Sequence, residues 1–288
     1  MAALFSFSSQ IHLAIFLLKG SNKWLALKQY LNYKLTLLPN FVNHSQAEHL
    51  LQLIQQLYSL MTDQFYKLNN PAWYGLHETH KEFGISVDGL TCYQKNIVAF
   101  AAWDTSNTKG LKRLDELIAH DESFFIIGEM ADLPANYFVE RIITCLQMFC
   151  TTEIAINTGA NILQLQEKEA HQMAALTELV MPGYYKHDTR LMGDYYGIMD
   201  NNELVAMAGE RIQLNGLTEV SAVVTHPAFT GRTYARQLVA LVVNKNLAAG
   251  NIPFLHTGQN NHRAIRMYEH LGFKKRRIIN FTKIKRLN

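Results

Sequence analysis

Apolar positions in this chain change their period several times. Leu50, Leu53, Ile54, Leu57, Leu60 and Met61 recur at the spacing of one helical face, behind Ser45-Gln46-Ala47-Glu48, which suits a capping box. After Asn69-Asn70-Pro71 the pattern predicts a helix over Leu111–His120 and an apolar strand over Ser123–Met130. A second helix is predicted from Pro134 to about Phe149. Between Thr151 and Ala160 the periodicity lapses into Thr, Asn and Gly, which marks a connection.

Beyond it, a helix over Glu167–Val180 is stopped by Pro182-Gly183, and a strand over Tyr195–Met199 meets a turn at Asp200-Asn201-Asn202. Two extended runs, Leu204–Leu214 and Leu217–Thr225, are joined by Asn215-Gly216, a dipeptide tolerant of the positive φ a tight hairpin needs. The loop Ala228–Thr233 leads to a helix with Ala235, Leu238, Val239, Val242 and Val243 on one face and Gly250 as its stop. A strand over Ile252–Thr257 follows, then a helix containing Ile265, Tyr268 and Leu271 that Gly272-Phe273 closes in Schellman fashion. The last strand lies near Arg277–Ile284.

Alternating strands and helices imply an α/β (α+β) protein, and 288 residues suit two lobes better than one core. The expected division is an N-terminal extension over 1–42, weakly structured or helical, an α/β lobe over 43–155 and a second lobe over 161–288. With 48% hydrophobic and 18% charged residues, the composition is that of a folded chain rather than a disordered one. The apolar stretch Ile11–Leu18 is too short to cross a bilayer and lacks the flanks of a signal peptide, so no membrane association is expected. Cys92, Cys145 and Cys150 form no CxxC pair and read as reduced, buried thiols of a cytoplasmic protein. His77 and His80 have ligand-like spacing but no third ligand in a motif, so no metal is expected.

The formal net charge is +3, and Lys274, Lys275, Arg276, Arg277, Lys283, Lys285 and Arg286 crowd the end of the chain, leaving the remainder net acidic. Such a strip could meet phosphate, but a solvated edge strand explains it more simply than nucleic-acid binding. A second anion signal lies at Thr230-Gly231-Arg232-Thr233-Tyr234-Ala235, a loop between a strand and a helix N-terminus, where unpaired N–H groups and the helix dipole favour phosphate.

Asn261, Ala264-Ile265, Tyr268 and Leu271-Gly272-Phe273 resemble the closing motif of the GNAT superfamily of acyl-CoA-dependent N-acyltransferases. The preceding loop resembles that superfamily's pyrophosphate motif, Arg or Gln, two residues, Gly, one residue, then Gly or Ala. Thr230, Thr233 and Ala235 stand at its anchor positions, so two of the three depart from the pattern. The resemblance runs from the Tyr195 strand to Phe273 and implies a mixed sheet flanked by helices. More loosely, the two-lobed layout resembles the glycine N-acyltransferase-like branch, with the first lobe a degenerate copy of the second.

The resemblance implies that the backbone of Val223, Val224 and Thr225 pairs with pantetheine, that Thr230, Gly231, Arg232, Thr233, Tyr234 and Ala235 cradle pyrophosphate, and that Asn261 touches the same arm or caps its own helix. Tyr268 matches the general acid beside the CoA sulfur. Glu219, placed by two-residue alternation on one face with Ser221, Val223 and Thr225, is either a water-mediated base or an exposed cross-strand carboxylate. His226, before Pro227, is expected to cap its loop rather than act, and Tyr184 and Tyr185 to shape the acceptor site or pack in the core. The implied reaction moves an acetyl or short acyl group from acetyl-CoA (acyl-CoA) to a primary amine of a small molecule or peptide by direct attack in a ternary complex. A non-catalytic acyl-CoA-binding module is the alternative. Freeing a lysine-like amine of its proton at neutral pH costs roughly 4.6 kcal/mol, against about 1.4 for an α-amine, so only the former demands a strong base.

Overall fold

Eleven strands hydrogen-bond into one mixed sheet in the computed structural model, which describes residues 65–105, 108–120, 122–155 and 159–287. In chain order they are β1 (Gly84–Val87), β2 (Leu90–Tyr93), β3 (Phe100–Trp103), β4 (Ser123–Ile127), β5 (Tyr137–Phe149), β6 (Ile162–Gln164), β7 (Tyr195–Asp200), β8 (Glu203–Leu214), β9 (Leu217–Thr225), β10 (Ile252–Gly258) and β11 (Lys274–Arg286). The α-helices of the same residues are α1 (Pro71–His77), α2 (Leu114–Leu117), α3 (Ala170–Val180), α4 (Tyr234–Ala248) and α5 (His262–His270). The capping box at Ser45, the stripe Leu50–Met61 and the 1–42 extension lie outside the described residues. No described helix is long and apolar enough to cross a membrane.

The strand order, β1-β2-β3-β4-β11-β5-β10-β9-β8-β7-β6, has a repeated logic. Inward from one edge, β2 and β3 are antiparallel, β3 and β4 parallel, and β4 and β11 antiparallel. Inward from the other, β8 and β9 are antiparallel, β9 and β10 parallel, and β10 and β5 antiparallel. The strand that closes each half comes from the other half of the chain, and the two closing strands pair along their length, Lys274 opposite Phe149 through Arg286 opposite Tyr137. The 151–160 connection therefore does not divide the sheet, and Lys67 to the C-terminus forms one compact unit.

Two expectations fail at this exchange. The segment after Pro134 is strand β5, not a helix: the Tyr137 N–H closes a turn onto the Pro134 carbonyl, and the β-branched and aromatic run that follows finds ladder partners on both edges. β11 is likewise no edge strand, since β4 and β5 flank it. Much of its charge is matched in place, Lys275 by Glu269, Lys283 by Glu140 and Arg286 by Asp115, while Arg276 and Arg277 both donate to Asn69 Oδ1. Over 111–120 the predicted helix shrinks to a 3-10 turn (Thr108–Arg113) followed by α2.

The hairpins form where the turn residues predict. Asn201 and Asn202 both take positive φ (48° and 66°), and Gly216 takes 82°. Gly209 is needed for a different reason: a Cβ there would lie 2.3 Å from Cδ1 of the Tyr195 ring, which packs flat against its backbone. α4 and α5 bury Leu238, Val239, Val242, Val243, Ile265 and Tyr268 against Val205, Val220 and Leu255, whereas α3 brings Met173 and Leu176 to a separate cluster with Leu204, Met207, Ala222 and Val224.

Because β11 completes a core otherwise built from residues before 140, the two halves should unfold together. Ile284, 0% exposed, packs with Leu90, Trp103, Phe124 and Tyr137. Ile284→Ala should cost about 2–5 kcal/mol and shift one cooperative denaturant transition monitored by both circular dichroism and tryptophan fluorescence. Two transitions, only one of them shifted, would show that the halves fold independently.

Candidate functional site

The site begins where two strands part. β9 and β10 pair in parallel at Leu217–Ile252, Thr218–Pro253 and Glu219–Phe254. Past that point Phe254–Gly258 bond to β5, and β9 continues only with β8. A bulge then re-aims β9: Ser221 faces Gly209 and Val224 faces Met207, so Ala222 and Val223 together oppose Ala208, and Ala222 adopts φ 49°.

The bulge corrects one expectation. Val220 packs into the cluster under α4 and α5, and so does Val223, while Ala222 and Val224 turn to the cluster under α3. Strict alternation is broken, and Glu219 does not share a face with Val223 and Thr225. Nor is it exposed. At 1% exposure it sits opposite a second bulge, Arg211-Ile212, and is held from three sides. Arg211 donates Nε to Oε2 (2.9 Å) and Nη2 to Oε1 (2.7 Å), the Ile212 amide donates to Oε2 (3.3 Å), and His256 Nδ1 donates to Oε1 (2.7 Å). Burial alone raises the Glu219 carboxyl, but the Arg211 charge and the hydrogen bonds from His256 and Arg211 outweigh it and hold the group well below the usual carboxylate range.

The chain of contacts continues inward. Gln147 Oε1 accepts from Arg276 Nη1 (2.7 Å), which fixes the amide so that its Nε2 donates to the Leu68 carbonyl (2.9 Å) and to His256 Nε2 (2.9 Å). Both His256 nitrogens are thereby engaged, with the proton on Nδ1.

Two adjoining cavities open from the split and share Val223, Asn261, Ala264 and Tyr268. The first, of about 490 Å³, is lined by Thr225, by Thr230, Gly231, Arg232, Thr233, Tyr234 and Ala235, and by Arg236 and Arg263. Here the loop supplies backbone shape. Gly231 takes φ 85° and Thr233 takes 62°, so the threonine standing where the resembled motif has glycine keeps the left-handed conformation, at a cost of about 1–2 kcal/mol. No side chain caps α4, and its first turn carries no acid, which leaves N–H groups turned to this cavity's rim. Val224 lines neither cavity; its side chain is buried in the α3 cluster.

The second cavity, of about 390 Å³, lies between β9 and β10 on one side and β3 and β4 on the other, and includes Phe100, Phe125, Tyr184, Arg211, Ser221 and His256 on its wall. Tyr184 stacks on Phe125 at 6.3 Å, and Tyr185 lines the same wall. At the seam of the two cavities stands Tyr268, whose phenol burial pushes up and which makes no side-chain hydrogen bond among the described residues. Asn261 accepts the Ala264 N–H (3.1 Å) as an N-cap while lining both cavities, and His226 caps its loop by accepting the Ala228 N–H (3.2 Å). Elsewhere, His80 is spent on the Tyr93 hydroxyl and the Met192 carbonyl, and His77 on the Trp73 carbonyl.

Sequence reasoning missed Arg236 and Arg263. A usable signal existed: each lies in the first turn of a helix with no acidic residue there, against the preference the helix dipole sets, and that reversal marks an anion site. Arg211 and His256 carried no such local sign.

Residues 195–282 match the family model of FR47-like proteins. No curated protein matches the chain. Among solved structures, a protein from Novosphingobium aromaticivorans described as an acetyltransferase of the GNAT family superposes with a TM-score of 0.71 at 29% identity, covering 77% of this chain and 99% of that one. A GCN5-related N-acetyltransferase from Kribbella flavida matches at a TM-score of 0.49 and 14% identity, over 71% of this chain and 89% of the other, too distant to carry an argument. The chain thus has the GNAT acetyltransferase fold, contains an FR47-like domain and is homologous to GNAT acetyltransferases. These relationships reach the superfamily and not the glycine N-acyltransferase-like branch.

Glu219→Gln leaves the Arg211 charge buried without its partner and should destabilise by about 3–5 kcal/mol. Because the folded-state carboxyl titrates below the ordinary value of 4.5, the wild-type advantage is complete above that value and is lost as pH falls toward the folded one. Urea titrations of both proteins from neutral pH down to mild acid should show the gap narrowing; a gap independent of pH would contradict this account.

Proposed function

We propose that this GNAT-type protein transfers an acetyl group from acetyl-CoA to a primary amine by direct attack in a ternary complex. The carrying observation is Tyr268 at the seam between a cavity rimmed by arginines and helix N–H groups and a cavity walled by aromatic rings. Gly231 to Ala235, with Arg232, Arg236 and Arg263, would receive the pyrophosphate. The backbone of Val223, Val224 and Thr225, left without a neighbour on the β10 side, would pair with the pantetheine arm, beside Asn261.

In this reading the thioester carbonyl lies over the parted strands, and a backbone N–H near Val224 receives the oxyanion. Nitrogen attacks the carbonyl carbon, the C–S bond breaks, and the thiolate takes the Tyr268 proton. A phenol kept protonated by burial is suited to that role. Glu219 positions Arg211 and His256 rather than taking a proton, since a carboxylate held by a guanidinium is a weak base. Reduced, buried Cys92, Cys145 and Cys150 suit action in the cytoplasm.

Titration calorimetry with acetyl-CoA should give binding, and Tyr268→Phe should leave that binding intact while lowering kcat by about 10²–10⁴-fold. An unchanged kcat would remove Tyr268 as the acid. Intact acetyl-CoA binding without turnover of any amine would favour a non-catalytic acyl-CoA-binding module.

A further inference from the structure

The charges on the wall of the second cavity narrow the acceptor. Its ionisable groups are Arg211, Lys186, His256, Cys145 and tyrosines, and among the described residues no aspartate or glutamate lines it. Lys186 is exposed at the rim, and burial pushes the Cys145 thiol up to about 11, so it carries no negative charge. An alkylammonium ion would enter a space whose arginine is already paired with Glu219 and whose wall offers it no counter-ion of its own.

Among the described residues the cavity also offers no carboxylate or imidazole free to take a proton. Glu219 is covered by Arg211, the Ile212 amide and His256, and His256 has both ring nitrogens in hydrogen bonds. An ammonium ion that did enter would have nothing to deprotonate it. The walls are flat and apolar instead: Tyr184 stacks on Phe125, and Phe281 lies edge-on to Phe100 at 6.1 Å.

We infer that the acceptor is an arylamine, a weakly basic nitrogen borne directly on an aromatic ring. The inference rests on the transferase reading above. Such an amine arrives neutral, so attack needs no base. Its lone pair forms the C–N bond, the C–S bond breaks with its electron pair going to sulfur, and sulfur takes the Tyr268 hydroxyl proton. The nitrogen of the tetrahedral adduct, acidified by its ring, returns a proton to the tyrosinate. The products are an N-aryl acetamide and CoA, with the tyrosine regenerated.

The test uses the full chain saturated with acetyl-CoA and compares aniline and p-toluidine with benzylamine and phenethylamine, reading acetamide by mass spectrometry. The arylamines should exceed the alkylamines in kcat/KM by at least about tenfold at neutral pH. Their profile should stay flat between about pH 6 and 8, where that of benzylamine rises about tenfold per unit. Lys186→Glu, a substitution at an exposed rim position, should shift the preference toward benzylamine by about tenfold. If acetyl-CoA binds in the calorimeter and the alkylamines win, or no arylamine is acetylated, the arylamine assignment is overturned. If acetyl-CoA does not bind at all, the transferase reading itself falls, and this inference with it.

Discussion

Three parallel backbone pairs, from Leu217 with Ile252 to Glu219 with Phe254, hold β9 against β10, and the site exists because the pairing stops there. Had it continued, the polar backbone of Val220–Thr225 would be consumed by the ladder and no slot would open. The stop falls where β9 bends: the Ala222 bulge turns it away from β10 toward β8, while β10 runs on with β5 along its opposite edge. The buried Arg211–Glu219–His256 cluster sits at the last paired residue, so the floor of the opening is pinned by ionic and hydrogen-bonded contacts where the ladder ends. A polar cluster of this kind contributes little net stability over apolar packing, but its geometry is restrictive, which suits a place that must not relax.

The exchange of closing strands connects that local event to the whole sheet. β10 runs on past the split with β5 on its other edge because the chain before the 151–160 connection crosses into the second half, and β11 makes the reciprocal crossing. The second cavity is consequently walled by both parallel junctions, β3 with β4 and β9 with β10. Its aromatic lining from Phe100 and Phe125 belongs to the first half, while Tyr268 and the loop of Gly231 belong to the second. The aromatic wall of the second cavity and the residues shared between the two cavities thus come from different stretches of sequence that the sheet forces together.

Charge is distributed differently around the two cavities. Around the first, Arg232, Arg236 and Arg263 add to helix N–H groups that have no acidic cap, a combination that favours phosphate strongly. Beside the second, the buried Glu219 carboxylate is already paired with Arg211 and His256. The basic end of the chain, conspicuous in the sequence, is largely absorbed by Glu269, Glu140, Asp115 and Asn69.

Residues 195–273 were legible in the sequence because their signals are local. Turn residues at Asn201-Asn202 and Asn215-Gly216, the glycine stops at Gly250 and Gly272, and the spacing of Asn261, Tyr268 and Phe273 each act within a few residues, and they located the loop and the tyrosine that line the first cavity. What failed depended on partners distant in the chain. The run after Pro134 reads as helix by its start signal and becomes strand because β10 and β11 supply hydrogen bonds on both edges. Alternation puts Glu219 on one face with Ser221, Val223 and Thr225, as a base or an exposed carboxylate, but two bulges break that face and the group is buried against Arg211. Periodicity encodes which face a residue prefers, whereas bulges, strand exchange and ion pairing are settled only when separate segments compete for the same backbone groups in three dimensions.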